Sequence, residues 1–403
     1  MSVIHRISGA ALGTHFADQI ALVSVPLVAA LAFGASAQTI GLLVACQSTA
    51  HLLGSIPFGI LVDQQQLRSL AISSSLISLV AFSGAALSIL AGSLVWFAVA
   101  ITLAGFGVVL FSLTALSILP RTARPGALVK ANAAVEIPRA MCSFAVPLAI
   151  GLAIGRVPVW SVFAIACLGS LLALKLNISL PKFDVTPKPK TAVLQRICDG
   201  GRYVIGHNFL RPIALCSILW NLAFAALLVV LVPTIRELYR FAPGSFGFAL
   251  SAFGLAAVCA SSLSGKLTGH IAPSVILLFA PGSSVIATAG LMLIGPDTNQ
   301  LWLYACFFLL GFGPSMWLIA QNSLRQLVTP PAMLGRVNAV IQTAIYGVRP
   351  LGALIGGLLA GGFGAHAGLT FVVGAYALSF LVSLFSGLRS VGSYQALYVP
   401  ADL

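Results

Sequence analysis

Of eight acidic residues in a chain of 403, only Asp18 and Glu136 fall inside long apolar stretches. Each has an ionisable neighbour three residues away, His15 before Asp18 and Arg139 after Glu136, a spacing that puts both partners on one helix face. An ionised side chain in a bilayer core costs at least ~2.5–3.5 kcal/mol, so it faces a water-filled cavity or a partner. Burial moves a carboxylate toward titration near neutrality, which is what a reversible proton carrier needs. Asp18, roughly 12 Å into its span at 1.5 Å per residue, reads either as such a carrier or as a structural acid near the interface. His15 is normally neutral near pH 7. Glu136 and Arg139 neutralise each other, as a fixed intramembrane pair or as a second coupling site. Arg349 stands roughly 22 Å into another stretch, just before Pro350. It suits contact with an anionic substrate, or packing against backbone opened at the proline. His51, also mid-span, is an interior hydrogen-bonded histidine or a proton relay.

The elements that must carry these groups follow from composition. The chain is 59% hydrophobic and 7% charged, against roughly 25% charged in soluble domains. Apolar stretches of about 20 residues, each able to cross ~30 Å of hydrocarbon, recur twelve times. They are Leu12–Phe33, Gln38–Val62, Ser69–Leu90, Leu94–Leu119, Ala127–Gly155, Val157–Leu174, Pro212–Pro233, Ser245–Leu263, Ile271–Ile294, Leu301–Asn322, Met333–Leu359 and Gly368–Leu388. The expected architecture is an all-α polytopic membrane protein: a six-helix half over 1–175, a linker over 176–211, a second six-helix half over 212–390 and a tail over 391–403. Within the linker, Thr191–Asn208 has apolar residues at Val193, Leu194, Ile197, Val204 and Ile205, the pattern of an amphipathic helix on the membrane surface. Acid and amide at Asp18 and Gln19 in the first stretch argue against a cleavable signal.

A net charge of +13 would suggest nucleic acid in a soluble protein. Here its placement speaks instead of topology. Sixteen of the 21 Lys and Arg lie at the termini or in one alternate set of loops, and three (Arg156, Arg236, Arg240) in the other. Basic loops are cytoplasmic, so both termini are expected inside. Seven scattered cysteines with no CxxC or Cys/His cluster support neither zinc nor disulfides. No cofactor is expected.

The halves repeat at a shift of 206 residues. Gly41, Gly59 and Leu61 map to Gly247, Gly265 and Leu267; Gly105-Phe106-Gly107 maps to Gly311-Phe312-Gly313; Pro125, Lys130, Asn132 and Gly151 map to Pro331, Arg336, Asn338 and Gly357. Six-plus-six parallel repeats are a transporter plan in which the solute site lies near the midplane and the halves alternate its exposure.

Between the second and third spans the chain reads Gly59-Ile60-Leu61-Val62-Asp63-Gln64-Gln65-Gln66-Leu67-Arg68. This resembles the Gly-x-Leu-x-Asp-Arg-x-Gly-Arg-Arg-like cytoplasmic signature of the major facilitator superfamily, matching at Gly59, Leu61, Asp63 and Arg68 and departing at Gln64, Gln66 and Leu67. In the sister loop Gly265, Lys266 and Leu267 fit, while Gly269 stands in place of the acid. Asp199-Gly200-Gly201-Arg202-Tyr203, Asn208-Phe209-Leu210-Arg211-Pro212 and the run Asn132…Arg139…Pro147…Gly151 look like the enterobactin exporter and macrolide efflux subgroup. The last run also partly resembles a drug/proton antiporter motif, with Val146 and Ile150 in place of glycines. The resemblance implies a gating role for Gly59, Asp63 and Arg68, with Gly59 at a helix contact. It also implies a cavity lined by spans one, four, seven and ten, where Gln19, Ser112, Trp220, Asn221, Trp317 and Gln321 stand. A lining so sparsely polar suits amphipathic or aromatic solutes better than sugars.

The function expected from these residues is secondary active transport: a proton-coupled exporter of small amphipathic molecules, drug-like or siderophore. It would work as a monomer in a bacterial inner membrane, with the proton, the solute and the bilayer as its partners and no nucleic acid. Two alternatives stand beside it, a proton-coupled importer of an anionic metabolite through Arg139 and Arg349, and a non-transporting receptor on the same fold. No nucleophile–base pair, phosphate loop or metal set can be assembled, so an enzyme is not expected.

Overall fold

The computed structural model describes residues 3–122, 128–183, 193–267 and 271–393. The side chains of Asp63, Lys130, Asn132 and Lys266, Gly269, and the tail from 394 lie outside that description, so the expectations placed on them lie outside it too. The helices run α1 Val3–Ala32, α2 Ala37–Gln64, α3 Leu67–Leu90, α4 Leu94–Thr122, α5 Leu128–Ala153, α6 Ser161–Ile178, α7 Val193–Gly206 and α8 Leu210–Pro233. They continue as α9 Gly244–Leu267, α10 Pro273–Met292, α11 Leu301–Val328, α12 Pro331–Phe363 and α13 Ala365–Leu384, with a π-helical turn at Thr234–Leu238 and a 3-10 turn at Gly387–Ser390. Among the described residues eleven helices are long and apolar enough to cross a membrane. The 28-residue α2 stands in the place expected for the second span. The protein is all-α and polytopic.

Local chemistry sets the helix ends. The Ser36 hydroxyl accepts from the Thr39 N–H to start α2, and Pro273 opens α10, where a missing N–H costs nothing. Gly364, at φ 86°, separates α12 from α13 in a conformation a Cβ would strain.

The chain forms two compact units, Met1–Pro189 with Ala242–Ser251, and Lys190–Phe241 with Ala252–Leu403. In the first unit α1 begins at Val3, nine residues before the expected Leu12. Ile7, Ala10 and Ala11 lie buried with Leu67, Leu110, Phe111 and Leu180, and Val3 and Ile4 pack against them. Polar His5, Arg6 and Ser8 hid this face in the sequence. Arg6 donates to Ser179 O and Arg68 to Ile178 O at 2.7 Å, so two guanidinium groups cap the carbonyl end of α6, where the helix dipole favours them. The first turns of α9 join this unit: a Cβ at Gly247 would lie 2.6 Å from Pro147 O and Gly151 N.

In the second unit Ile213, Leu277, Met316, Trp317, Leu324 and Leu388 form one core. The amphipathic helix α7 turns part of its apolar face to protein. Val204 is buried with Leu210, Ala214, Val337 and Ile341, while Ile205 stays 67% exposed. Asp199 pairs with Arg336 at 3.4 Å and the Tyr203 hydroxyl donates to Val328 O at 3.1 Å. These polar contacts pin the amphipathic helix expected along the membrane surface to α11 and α12.

The repeat persists in space, each copy within its own unit. A Cβ at Gly105 would meet Gln47 O at 2.9 Å, and one at Gly311 would collide with Phe253 O. Gln47 and Phe253 are themselves 206 residues apart. Gly107 closes on Ser74 O and Gly313 on Ala280, again 206 apart. These glycines, and not Gly59, are where helices touch: around a Cβ at Gly59 there is nothing within 4 Å among the described residues. The helix contact expected at Gly59 is thus not seen among the described residues.

Candidate functional site

In the first unit α1 and α5, the helices that carry the two expected ionisable pairs, run side by side. The Ser8 hydroxyl donates to Ala134 O at 2.5 Å, and the Cys142 thiol lies 3.9 Å from Leu12 O, which fixes the two helices side by side. His15 is 8% exposed and meets the Phe111 ring edge-on at 6.5 Å; Asp18 and Gln19 are half-buried. Because α1 starts at Val3, Asp18 lies roughly 22 Å along it by the α-helical rise. Asp18 thus stands at the middle of the helix. Glu136 Oε2 accepts from Arg139 Nε at 2.8 Å, with the two side chains 58% and 54% exposed. Hydrocarbon would not tolerate a pair so open, so this stretch of α5 faces water or headgroups.

In the second unit Gly352 and Gly356 let α12 close on Leu222 and Ala226 of α8. A Cβ at Gly356 would come within 2.8 Å of the Ala226 Cα. That contact brings Arg349 beside Asn221, and Arg349 Nε donates to Asn221 Oδ1 at 3.0 Å. The Asn221 amide nitrogen donates in turn to Ser217 O at 2.9 Å, so its oxygen is aimed at the cation. The guanidinium sits 5.3 Å from the Tyr346 ring centroid, a cation–π distance. Arg349, read as solitary from the sequence, is thus held by both, because its partner lies 128 residues away on another helix.

Trp220 stacks on Phe224 at 5.0 Å, lies 6.0 Å from the Tyr376 ring, and donates from Nε1 to Ser284 Oγ at 3.1 Å. Phe253 extends the group, 5.2 Å from Phe224. Trp317 and Gln321 lie one turn apart on α11, 9% and 3% exposed. Among the described residues the Trp317 Nε1–H and the Gln321 Oε1 have no partner, while the Gln321 amide nitrogen donates to Asn322 Oδ1 at 2.6 Å. A buried donor and acceptor left open on one stripe are the groups that water or a polar ligand satisfies. The Ser112 hydroxyl bonds back to Val108 O at 2.9 Å within its own helix. His51 is half-buried and its carbonyl accepts from Ser55. Sequence reasoning missed Tyr346, Phe224, Phe253, Tyr376 and Cys142. Tyr346 alone had a signal, three residues before Arg349 on one helix.

Long apolar helices in two repeated bundles, with sparse polar groups held at mid-helix, define a multi-pass membrane transporter. The chain matches the Major Facilitator Superfamily over residues 7–353 and belongs to that family; it is not an enzyme. It is 28% identical over 207 residues to the enterobactin exporter EntS of Escherichia coli O1:K1 / APEC, and over 205 residues to that of Escherichia coli (strain UTI89 / UPEC). In both cases the match takes in 50% of this chain and 47% of the relative, so the chain spans about half the length of the curated relatives it matches. Solved structures share the fold: peptide transporter POT in complex with alafosfalin (TM-score 0.78, 13% identity, 97% and 95% of the two chains) and nucleoside transporter NupG (0.74, 10%, 99% and 100%). A bacterial homolog of the human lysosomal transporter Spinster aligns at TM-score 0.72 with 14% identity, over 99% and 98% of the chains.

Proposed function

We propose that this transporter is a proton-coupled exporter of small amphipathic organic molecules, a siderophore or a drug-like compound, working by alternating access. The observation that carries the direction of transport is the similarity to enterobactin exporters. Support for coupling comes from Asp18, a carboxylate half-buried at the middle of α1, the helix that packs along α5. Support for the substrate class comes from the second unit. Arg349 and Asn221 offer donors to an oxygen-rich group, Trp220, Phe224 and Tyr376 offer aromatic surface, and Trp317 and Gln321 add one open donor and one open acceptor.

The test is counterflow in proteoliposomes with a panel of siderophores, antibiotics and carboxylates, followed by uptake into inside-out vesicles under an imposed pH gradient. Accumulation of an aromatic siderophore or drug driven by inward acidity supports the proposal. Accumulation of a carboxylate in the opposite direction favours an importer built on Arg139 and Arg349, and absence of any flux favours a receptor.

A further inference from the structure

We propose that the groove between the first turn of α8 and the end of α13 binds an anionic glycerophospholipid, with its phosphodiester on Arg211. The groove encloses about 490 Å³, with Arg211, Asn208, Ser386 and Ser390 among its polar lining and Leu215 and Phe385 among its apolar lining. None of the described lining residues is acidic.

Its walls are fixed. The Ser379 hydroxyl donates to Cys216 O at 3.2 Å while the Cys216 thiol donates to Ser379 O at 3.4 Å, a reciprocal pair that locks α8 to α13. Beyond α13, a Cβ at Gly387 would touch the Phe209 ring at 3.4 Å and Asn208 O at 3.7 Å, so this turn closes the floor. Val391 O accepts from Ser274 N at 3.0 Å and holds the turn to α10.

The chemistry of the lining has an order. Arg211 stands in the first turn of an apolar span, the level at which headgroups meet a helix. Leu215 follows four residues later on the same face, one turn deeper. Phe385 is 74% exposed and Leu215 43%. A guanidinium fork grips a phosphate through two parallel N–H bonds. The Ser390 hydroxyl donates to Gly387 O, which leaves its oxygen to accept from a hydroxylated headgroup such as glycerol; Ser386 donates to Ser383 O and accepts from Leu388 N, which leaves it one lone pair. An acyl chain running past Leu215 and Phe385 covers apolar surface that a free phosphate ion would leave bare. Basic pockets between spans are sites of this kind.

The test uses the full chain purified in a neutral detergent with equal phosphatidylglycerol and phosphatidylcholine, with retained lipid counted by native mass spectrometry. Wild type should retain phosphatidylglycerol selectively. Arg211→Gln should lower that retention about fivefold, the effect of one cation near a membrane surface, while Arg156→Gln, a cation of the other loop set, should leave it unchanged. Leu215→Ser should also lower it, and excess inorganic phosphate should not displace the lipid from wild type. Equal retention by the Arg211→Gln and wild-type chains overturns the proposal. So does displacement by inorganic phosphate together with full retention in Leu215→Ser, which would mark a bare anion site.

Discussion

Arg349 Nε and Asn221 Oδ1 meet at 3.0 Å, joining the middle of α12 to the middle of α8. The amide oxygen, itself aimed by the bond to Ser217 O, orients the guanidinium, which suits a solute that brings its own oxygens. A hydrogen bond to a charged group is worth about 1.5–3 kcal/mol. Asn221→Ala should accordingly weaken substrate binding by roughly ten- to a hundredfold while the chain still inserts. Asn221→Asp should keep the protein folded but neutralise the cation, and lose binding of acidic solutes in particular. Equilibrium binding to the purified variants measures both effects.

Asp18→Asn keeps shape and hydrogen bonding but cannot titrate. Uphill, pH-gradient-driven transport should vanish in this variant, with downhill exchange and binding largely retained. Glu136→Gln should instead leave expression and thermal stability within about 1 kcal/mol of wild type, because an ion pair so exposed contributes little and the glutamine oxygen can still accept from Arg139. Proteoliposome flux with and without a pH gradient separates the two. Persistent accumulation by Asp18→Asn would move coupling to Glu136 or to another ion.

Glycines at close helix contacts and glycines in open space should respond oppositely to bulk. Gly311→Leu drives a side chain into Phe253 O and should destabilise by at least ~1–3 kcal/mol, the cost of overpacking. Gly59→Leu meets no described atom within 4 Å of the new Cβ and should keep the thermal stability of wild type. If its transport nonetheless fails, the signature loop works in a state of the cycle other than this one. Thermal unfolding in detergent, paired with flux, reads both variants.

His207 links pH to the junction of α7 and α8. Its Nδ1 accepts from the N–H groups of Phe209 and Leu210, at 3.1 and 3.4 Å, which only the neutral ring can do. Burial holds its pKa below the ordinary 6.5. A histidine with a lowered folded pKa stabilises fully above its unfolded pKa, and this stabilisation is lost as pH falls through the folded value. The melting temperature should therefore decline from neutral pH into the acid range. In His207→Asn, whose amide oxygen can accept without titrating, the decline should be shallower.

The distribution of basic residues predicts the orientation. Reporters fused after Arg389 and within residues 182–190 should read cytoplasmic, and one within residues 296–300 should read external. An external reading in 182–190 would invert the whole assignment, and with it the side from which Arg211 meets the membrane.

Much was legible in the chain alone because it depends on local or additive quantities. Apolar length dictates membrane spans, a constant offset of 206 residues exposes the duplication, and the Gly59–Arg68 run points to the family. Residues such as Trp220, Asn221 and Arg349 stood out because polar groups are costly in a bilayer wherever they end up. What the sequence could not say is which face of each helix turns inward, since spans that are apolar all round show no preferred side. Helix crossing decides that. Only packing places Asn221 against Arg349 across 128 residues, sets α1 along α5, starts α1 at Val3, and closes Gly311 upon Phe253 while no described atom lies within 4 Å of a Cβ at Gly59. Spacing along a chain constrains neighbours on one helix; a partner on another helix is chosen by the few small residues, such as Gly352 and Gly356, that let two backbones approach.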